Sequence, residues 1–113
     1  MHEYSITCSI IQILNDIIKE RKIKKLRKIN FELGPLAHIE PQSIEFYYSY
    51  LTQENKVLKN AVLEFKKNKL KMECKDCGKK FIPENFNNKC PSCFSKKLNI
   101  INSEDIKITS IEV

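Results

Sequence analysis

Glycine, long apolar runs and arginine are all scarce in this sequence, and each shortage excludes a class of function. Only Gly34 and Gly78 occur among the 113 residues, too few to build the glycine-rich loop that cradles a phosphate group. No uninterrupted apolar run exceeds three residues, so we expect no transmembrane helix and no membrane partner. Lysine outnumbers arginine by 18 to two. That ratio indicates a bias of residue usage rather than a groove selected for phosphates, where the arginine fork is favoured.

Four of the five cysteines stand in two short pairs, Cys74-Lys-Asp-Cys77 and Cys90-Pro-Ser-Cys93. One tight turn directs two thiolates at this spacing to a single metal ion, and the twelve residues between the pairs allow a hairpin to bring them together. Four thiolates suit tetrahedral Zn²⁺ and leave no coordination position for water or substrate. We therefore predict a structural zinc at Cys74, Cys77, Cys90 and Cys93, and no enzyme. Two disulfides or four unrelated thiols are the alternatives.

Hydrophobic periodicity predicts an α+β fold, a small mixed domain of about three strands and two helices with an inserted zinc-ribbon-like module of four cysteines. Ser5 or Thr7 can cap the first helix, Pro41 suits the first turn of the second, and Thr109-Ser110 suits a bulge in the last strand. The predicted elements are a helix over 4–21, a second helix marked by Ile44, Tyr47 or Tyr48 and Leu51, and strands over 28–33, 61–66 and 106–113. The predicted buried stripe of the first helix consists of Ile6, Ile10, Ile13, Leu14 and Ile17.

The cysteine pairs fall between the second and third predicted strands, which makes the predicted core domain discontinuous. We expect an α/β domain of residues 1–68 plus 104–113, with residues 69–103 inserted as a zinc-binding module. An insert of about 35 residues cannot bury enough apolar surface to fold alone. Structural zinc supplies an apparent ~10–16 kcal/mol in comparable peptides, and that free energy compensates for the missing core.

The chain begins Met1-His2-Glu3, and a free amino terminus followed by histidine is a chelator. The terminal amine, the amide nitrogen of His2 and its imidazole can bind one metal through adjacent five- and six-membered rings. Deprotonated amides favour square-planar Ni²⁺ or Cu²⁺ over Zn²⁺. An incidental, mobile histidine is the alternative, but an early helix start would hold the terminus in place. We expect no secretory signal, because Glu3 puts an acid where a positive segment belongs.

Four features in their order and spacing resemble the HypA/HybF family of nickel metallochaperones, which mature [NiFe]-hydrogenases. They are Met1-His2-Glu3 before an amphipathic helix, the strand that ends at Gly34, the paired-cysteine insert, and the closing Ile-x-Ser-Ile-Glu-Val. The resemblance covers essentially the whole chain. It implies a carrier that binds Ni²⁺ at its N-terminus and delivers it for assembly of the hydrogenase metal centre, while the zinc is structural.

The resemblance also implies a ligand set and partners. His2 is implied as the principal nickel ligand, together with the Met1 amine and Glu3, and Glu40 matches a position where family members often carry an acid near the nickel. The implied partners are a nickel-loading GTPase and the precursor of a hydrogenase large subunit. Independently of the resemblance, paired thiolates that bind metal fit a reducing cytoplasm better than a disulfide framework, so we expect a cytoplasmic protein.

This sequence departs from the family pattern at two positions. Gly78 follows the first cysteine pair, but Phe94 follows the second, where glycine is common. Because phenylalanine is strained at positive φ, we expect the second turn to differ from the first or to cost ~1 kcal/mol or more. His38 is either an extra nickel ligand or a solvated loop residue, and we interpret Cys8 as incidental.

The net charge of +6 makes a nucleic-acid-binding zinc ribbon the alternative function. The densest basic run, residues 19–28, is interleaved with Ile23 and Leu26, and we interpret it as a solvated helix end followed by the start of a strand. The zinc loop also lacks arginine and dense aromatic-basic interleaving. We therefore expect no nucleic-acid partner.

Overall fold

A computed structural model of the protein describes residues 2–83, 89–101 and 105–113, without the side chain of His2. Two helices and two three-stranded sheets make up the described chain, which confirms the predicted α+β class. The elements are α1 His2–Arg21, β1 Lys28–Leu33, α2 Pro41–Leu51, β2 Val62–Lys67, β3 Met72–Cys74, β4 Lys80–Phe81, β5 Leu98–Ile100 and β6 Ile106–Glu112.

Strand β1 is the centre of the larger sheet, whose order is β2-β1-β6. It runs parallel to β2 and antiparallel to β6, and the parallel pair is joined through α2, as a crossover requires. Alternate residues of β1 are buried, namely Ile29, Phe31 and Leu33. Phe31 also stacks on Phe65 of β2 at a ring-centroid distance of 5.0 Å. One face of the sheet therefore packs against the helices, and the other carries polar side chains.

Helix α1 differs from the prediction at its start and along its stripe. It begins at His2, so Ser5 and Thr7 lie inside the helix and the predicted cap is wrong. Instead, the buried hydroxyl of Thr7 donates to the carbonyl oxygen of Glu3, four residues earlier, at 2.6 Å, a common way to satisfy a hydroxyl within a helix. Ile10 and Leu14 are buried as expected, but Ile13 is 49% exposed.

The segment between α1 and β1 and the predicted bulge agree with the structure. Helix α1 ends at Arg21 and β1 begins at Lys28, so the basic run occupies a helix end and a strand start, as interpreted. In β6 the register shifts by one residue between Ile108 and Ser110, opposite Phe31 and Asn30. Thr109 is the extra residue, and its hydroxyl donates to the carbonyl oxygen of Asn30 at 3.2 Å.

The smaller sheet lies in the chain between β2 and β6, and its order is β4-β3-β5 with both pairs antiparallel. The two chain segments that connect the smaller sheet to the larger one are both hydrogen-bonded to the end of β1. Asn68 donates its N–H to the Leu33 carbonyl oxygen, and Gly34 donates its N–H to the Asp105 carbonyl oxygen, each at 2.9 Å. The division into 1–68 plus 104–113 and 69–103 stays a prediction.

In the described part of the chain, no helix combines the length and apolarity that crossing a bilayer requires.

Tyr48 joins the second helix to the core through one buried hydrogen bond. It is 3% exposed, burial raises its pKa, and its hydroxyl donates to the Leu58 carbonyl oxygen at 2.7 Å. The Ala61 N–H also donates to that carbonyl, so Tyr48→Phe should lower the free energy of unfolding by only about 1 kcal/mol in urea denaturation. Tyr50→Phe, at a 65% exposed position, is the matched control. Equal midpoints for the two variants would contradict the prediction.

Candidate metal centres

The two cysteine pairs form nearly identical turns, which we call the first turn (74–79) and the second turn (90–95). In the first, the Gly78 N–H donates to the Cys74 carbonyl oxygen, and the Cys74 N–H donates to the Lys79 carbonyl oxygen. In the second turn, the Phe94 N–H donates to the Cys90 carbonyl oxygen, and the Cys90 N–H donates to the Ser95 carbonyl oxygen. All four N···O distances are 2.9 Å. The sulfurs of each pair therefore leave their turn in the same arrangement.

Phe94 adopts nearly the same backbone conformation as Gly78 in the first turn. Its φ is 60°, and Gly78 at the corresponding position has a φ of 77°. The expectation that the second turn takes a different course is therefore wrong, and the stated alternative applies, a strained left-handed phenylalanine. The Phe94 side chain is 73% exposed, so burial of its ring offsets little of that strain.

The four thiols converge on one point. The Sγ atoms of Cys74 and Cys93 lie 3.5 Å apart, as do those of Cys77 and Cys90, and all four lie within 4.8 Å of one another. A tetrahedral zinc with Zn–S bonds of about 2.3 Å requires sulfur–sulfur edges of about 3.8 Å, so this donor set fits the ion. All the cysteines are free thiols, whereas the alternative considered from the sequence would join the four paired cysteines in two disulfides.

Backbone N–H groups favour the thiolate form of one cysteine in each turn. The Cys77 N–H lies 3.5 Å from the Cys74 sulfur, and the Ser92 N–H lies 3.4 Å from the Cys90 sulfur. Hydrogen bonds from backbone N–H groups, that of Cys77 above all, lower the pKa of Cys74. The backbone N–H of Cys93 is the largest cause that lowers the pKa of Cys90, to about 6. A lowered pKa favours the deprotonated sulfur, which is the form that binds a metal cation.

The module around the thiols has almost no apolar core of its own. Cys74 and Cys90 are its buried apolar residues in the described chain, whereas Ile82 is 48% exposed. Phe81 is half-buried, and Phe86 lies outside the described residues. Apolar burial therefore contributes little to the described part of this module. A small module of this kind needs the metal to fold.

One contact between the two turns was not expected from the sequence. The Ser95 hydroxyl donates to the carboxylate of Asp76 and accepts from the Lys97 N–H at 3.1 Å. Asp76 stands inside the first cysteine pair and Ser95 follows the second, but neither pattern indicates that they meet. The contact fixes one turn against the other beside the sulfurs.

At the other end of the chain, Glu3 lies beside the start of α2. Its carboxylate oxygen accepts a hydrogen bond from the Glu40 N–H at 3.4 Å, and Glu40 is the residue that caps α2 without a side-chain bond of its own. Two of the expected nickel ligands are thus neighbours although 37 residues separate them in sequence. The Met1 amine and the His2 side chain lie outside the described residues.

His38 does not join these carboxylates in a cluster. It is exposed in the loop between β1 and α2. Among the described residues, the four cysteines form the only group of three or more acidic, histidine or cysteine side chains arranged to hold a metal ion. Cys8 is also exposed and unpaired with other thiols.

Comparison with known proteins identifies the family. The family described as "Hydrogenase/urease nickel incorporation, metallochaperone, hypA" matches residues 1–113. The chain belongs to the HypA family. Members of this family are metallochaperones and maturation factors rather than enzymes, so the expectation of no enzyme is confirmed. The resemblance inferred from the sequence is confirmed as well.

Two relatives and two solved structures support the assignment over the full length. The chain is 38% identical to the "Hydrogenase maturation factor HypA" of Caldanaerobacter subterraneus, covering 100% of this chain and 99% of the relative. It is 34% identical to the "Hydrogenase maturation factor HypA" of Aquifex aeolicus, and the match covers 100% of this chain and 97% of the relative. A solution structure of a HypA protein matches with a TM-score of 0.81 at 26% identity, over 99% and 95%. The solution structure of the nickel metallochaperone HypA from Helicobacter pylori matches with a TM-score of 0.72 at 25% identity, covering 97% of this chain and 95% of that chain.

The strain at Phe94 yields a prediction about zinc binding. Phe94→Gly should remove a cost of about 1 kcal/mol, and because folding of the module is coupled to the metal, zinc affinity should rise about fivefold. Gly78→Ala places a side chain at the same conformation in the first turn and should lower affinity by a similar factor. Competition with a chromophoric chelator measures both. A lower affinity for Phe94→Gly would mean that the exposed ring stabilises the module.

Proposed function

We propose that this protein binds Ni²⁺ at its N-terminus and delivers it for assembly of the [NiFe]-hydrogenase metal centre, while zinc holds the four-cysteine module. The observation that carries the proposal is the position of Glu3, whose carboxylate meets the Glu40 N–H from the first turn of a helix that begins at His2. The start of α1 is thereby held against the start of α2, with the Glu3 carboxylate between them. The choice of nickel as the bound metal rests on membership of a nickel-incorporation family.

The helical start makes backbone nitrogen available to the ion. The first four N–H groups of an α-helix have no acceptor within the helix, and in α1 these include the amides of His2 and Glu3. Nickel accepts deprotonated amide nitrogen in square-planar geometry. Coordination by the Met1 amine, the His2 amide and imidazole and the Glu3 amide therefore breaks no helical hydrogen bond.

The same geometry makes the site suitable for release. The N-terminal end of a helix carries about half a positive charge, and here the start of α2 faces the start of α1 through the Glu3–Glu40 contact. Both helix ends disfavour a cation, whereas the carboxylates of Glu3 and Glu40 favour one. These opposing contributions suit a carrier that has to give up its cargo.

The proposed partners are a nickel-loading GTPase and the precursor of a hydrogenase large subunit, in the cytoplasm. A partner that exchanges nickel has to approach the start of α1, where aromatic side chains are exposed. Tyr4 is 41%, Phe46 68% and Tyr50 65% exposed, and Tyr47 contacts both Tyr4 and Phe46 ring to ring. Exposed aromatic groups of this kind are typical of protein-binding surfaces. The nucleic-acid alternative finds no support among the relatives named above.

The N-terminal chelate predicts unequal roles for the two histidines. His2→Ala should abolish nickel binding by native-terminus protein, with zinc content and fold unchanged, because the imidazole closes one chelate ring. His38→Ala removes the other histidine of the chain and should leave the affinity unchanged. Isothermal titration with Ni²⁺, with zinc measured by mass spectrometry, checks both. Wild-type affinity in His2→Ala would refute the site.

A variant with a single residue added before Met1 distinguishes the contribution of the amine to nickel affinity from that of the imidazole in the same titration. The extension converts the amine into an amide and should weaken binding strongly. Both groups must lose protons to bind, and with unperturbed pKa values near 6.5 and 7.7–8.0, affinity should fall steeply below about pH 6.5. Equal affinity of extended and native chains would exclude the amine while leaving His2 as a side-chain ligand.

The zinc site should be structural and confined to its module. Cys74→Ser should lose the bound zinc and disorder residues 69–103, because this segment lacks a core, while the helical signal of α1 and α2 persists. Cys8→Ser, at an exposed thiol away from the cluster, is the control and should keep one zinc per chain. Circular dichroism and zinc analysis measure the outcome. Full zinc content in Cys74→Ser would contradict four-thiolate coordination.

A further inference from the structure

The positive charge of the chain is concentrated in the cysteine module. Residues 69–103 contain eight lysines, no arginine and three acidic residues, so they account for five of the six net positive charges of the protein. A zinc ion bound by four thiolates has a net charge of about −2, and the module stays positive with the metal in place. The rest of the chain, more than twice as long, is close to neutral. A general bias toward lysine does not explain this uneven distribution.

Four exposed lysines lie immediately before, immediately after and across from the second turn: Lys89, Lys96, Lys97 and Lys75. Lys75 lies across from it because its N–H donates to the Lys97 carbonyl oxygen at 2.8 Å. None of the four forms an ion pair with a carboxylate of the described residues. Asp76 contacts the second turn as well, but its carboxylate accepts a hydrogen bond from the Ser95 hydroxyl. The lysine charges around this turn are therefore available to another molecule.

Phe94 stands among these lysines at a position where its own fold gives it no advantage. The turn places this residue at a φ of 60°, which a glycine adopts without strain and a phenylalanine does not. The side chain is 73% exposed, so the ring gains little burial in return. Strained backbone positions cluster where a protein binds or acts on another molecule. We interpret the ring as an anchor that becomes buried when a partner covers it.

The chemistry of this surface favours an acidic protein over a nucleic acid. Proteins that bind single strands stack bases on several aromatic side chains and add arginine. In the described part of the module, Phe94 is the one largely exposed ring, and arginine is absent from residues 69–103. A single aromatic anchor inside a polar, charged rim is typical of protein interfaces. Lysine side chains in that rim attract and orient a surface rich in aspartate and glutamate.

We propose that the second turn is a docking site for the acidic surface of a partner protein, with Phe94 inserted into an apolar pocket of that partner and the four lysines facing its carboxylates. Contact with a partner explains why a residue that costs the module stability occupies this position. The inference rests on the cysteine module alone, so it is independent of the proposed nickel site.

A short peptide in which two leucines are flanked by glutamates is the probe, titrated into the isotopically labelled, zinc-loaded full chain. The amide resonances that shift in NMR spectra should be those of residues 89–97 and Lys75. Binding should weaken about tenfold when the ionic strength rises from about 0.1 to about 1 M, because the Debye length falls from about 10 to about 3 Å. The same peptide with lysine in place of glutamate should not bind.

Phe94→Gly separates docking from folding. It should weaken peptide binding about tenfold while it strengthens zinc binding, whereas a purely structural role of the ring would move both affinities in the same direction. Lys96→Glu should also weaken peptide binding severalfold. Two matched controls should leave it unchanged. Lys24→Glu makes the same charge change at an exposed position before β1, and Val62→Ala trims an apolar side chain of β2 that is 62% exposed.

Three results would overturn the proposal. The first is the absence of binding by the acidic peptide at millimolar concentration, or shifts spread over the whole surface. The second is equal peptide affinity for Phe94→Gly and the wild type. The third is a short single-stranded oligonucleotide that shifts the same resonances at lower concentration than the peptide does, which would make this turn a nucleic-acid-binding surface.

Discussion

The central position of β1 is the constraint on which the rest of the structure depends. Its buried face supplies the middle of the core, with Ile29 and Phe31 almost fully buried. Its final residues hold the chain where it leaves for the cysteine module and where it returns, through the Leu33–Asn68 and Gly34–Asp105 backbone bonds. The side-chain amide of Asn68 adds a bond to the Glu32 carboxylate at 2.8 Å. Because the chain leaves and returns at adjacent positions beside β1, the segment that carries the cysteines does not interrupt the larger sheet.

The two sheets of the protein are stabilised by different physical means. Around the larger sheet, apolar burial dominates, and Leu14, Ile44 and Leu58 are fully buried. The cysteine module substitutes four converging sulfurs and a small set of turn hydrogen bonds for such burial. This is also why it tolerates Phe94 at positive φ, because a cost near 1 kcal/mol is small beside the free energy that a structural zinc contributes.

The proposed nickel site and the four-cysteine site also differ in how firmly their ligands are held. The sulfurs lie on two turns fixed by paired backbone bonds and by the Asp76–Ser95 contact, an arrangement suited to permanent retention. The groups proposed for nickel lie at a chain end, on two helix starts joined by a 3.4 Å hydrogen bond between Glu3 and Glu40. Soft thiolates and nitrogen donors select different ions, and the rigidity of each setting matches retention in one case and transfer in the other.

The sequence by itself determined the element types and the composition of the cysteine site. Alternation in β1, helical spacing in α1 and the extra residue at Thr109 are local patterns, and a local pattern reports which face of an element is buried. It does not report which element covers that face. The parallel pairing of β1 with β2, the meeting of Glu3 with Glu40 and the exposure of Ile13 were therefore decided only by the tertiary structure. The positive φ of Phe94 was also decided by the tertiary structure. The convergence of four sulfurs requires this turn conformation and outweighs the backbone preference of one phenylalanine.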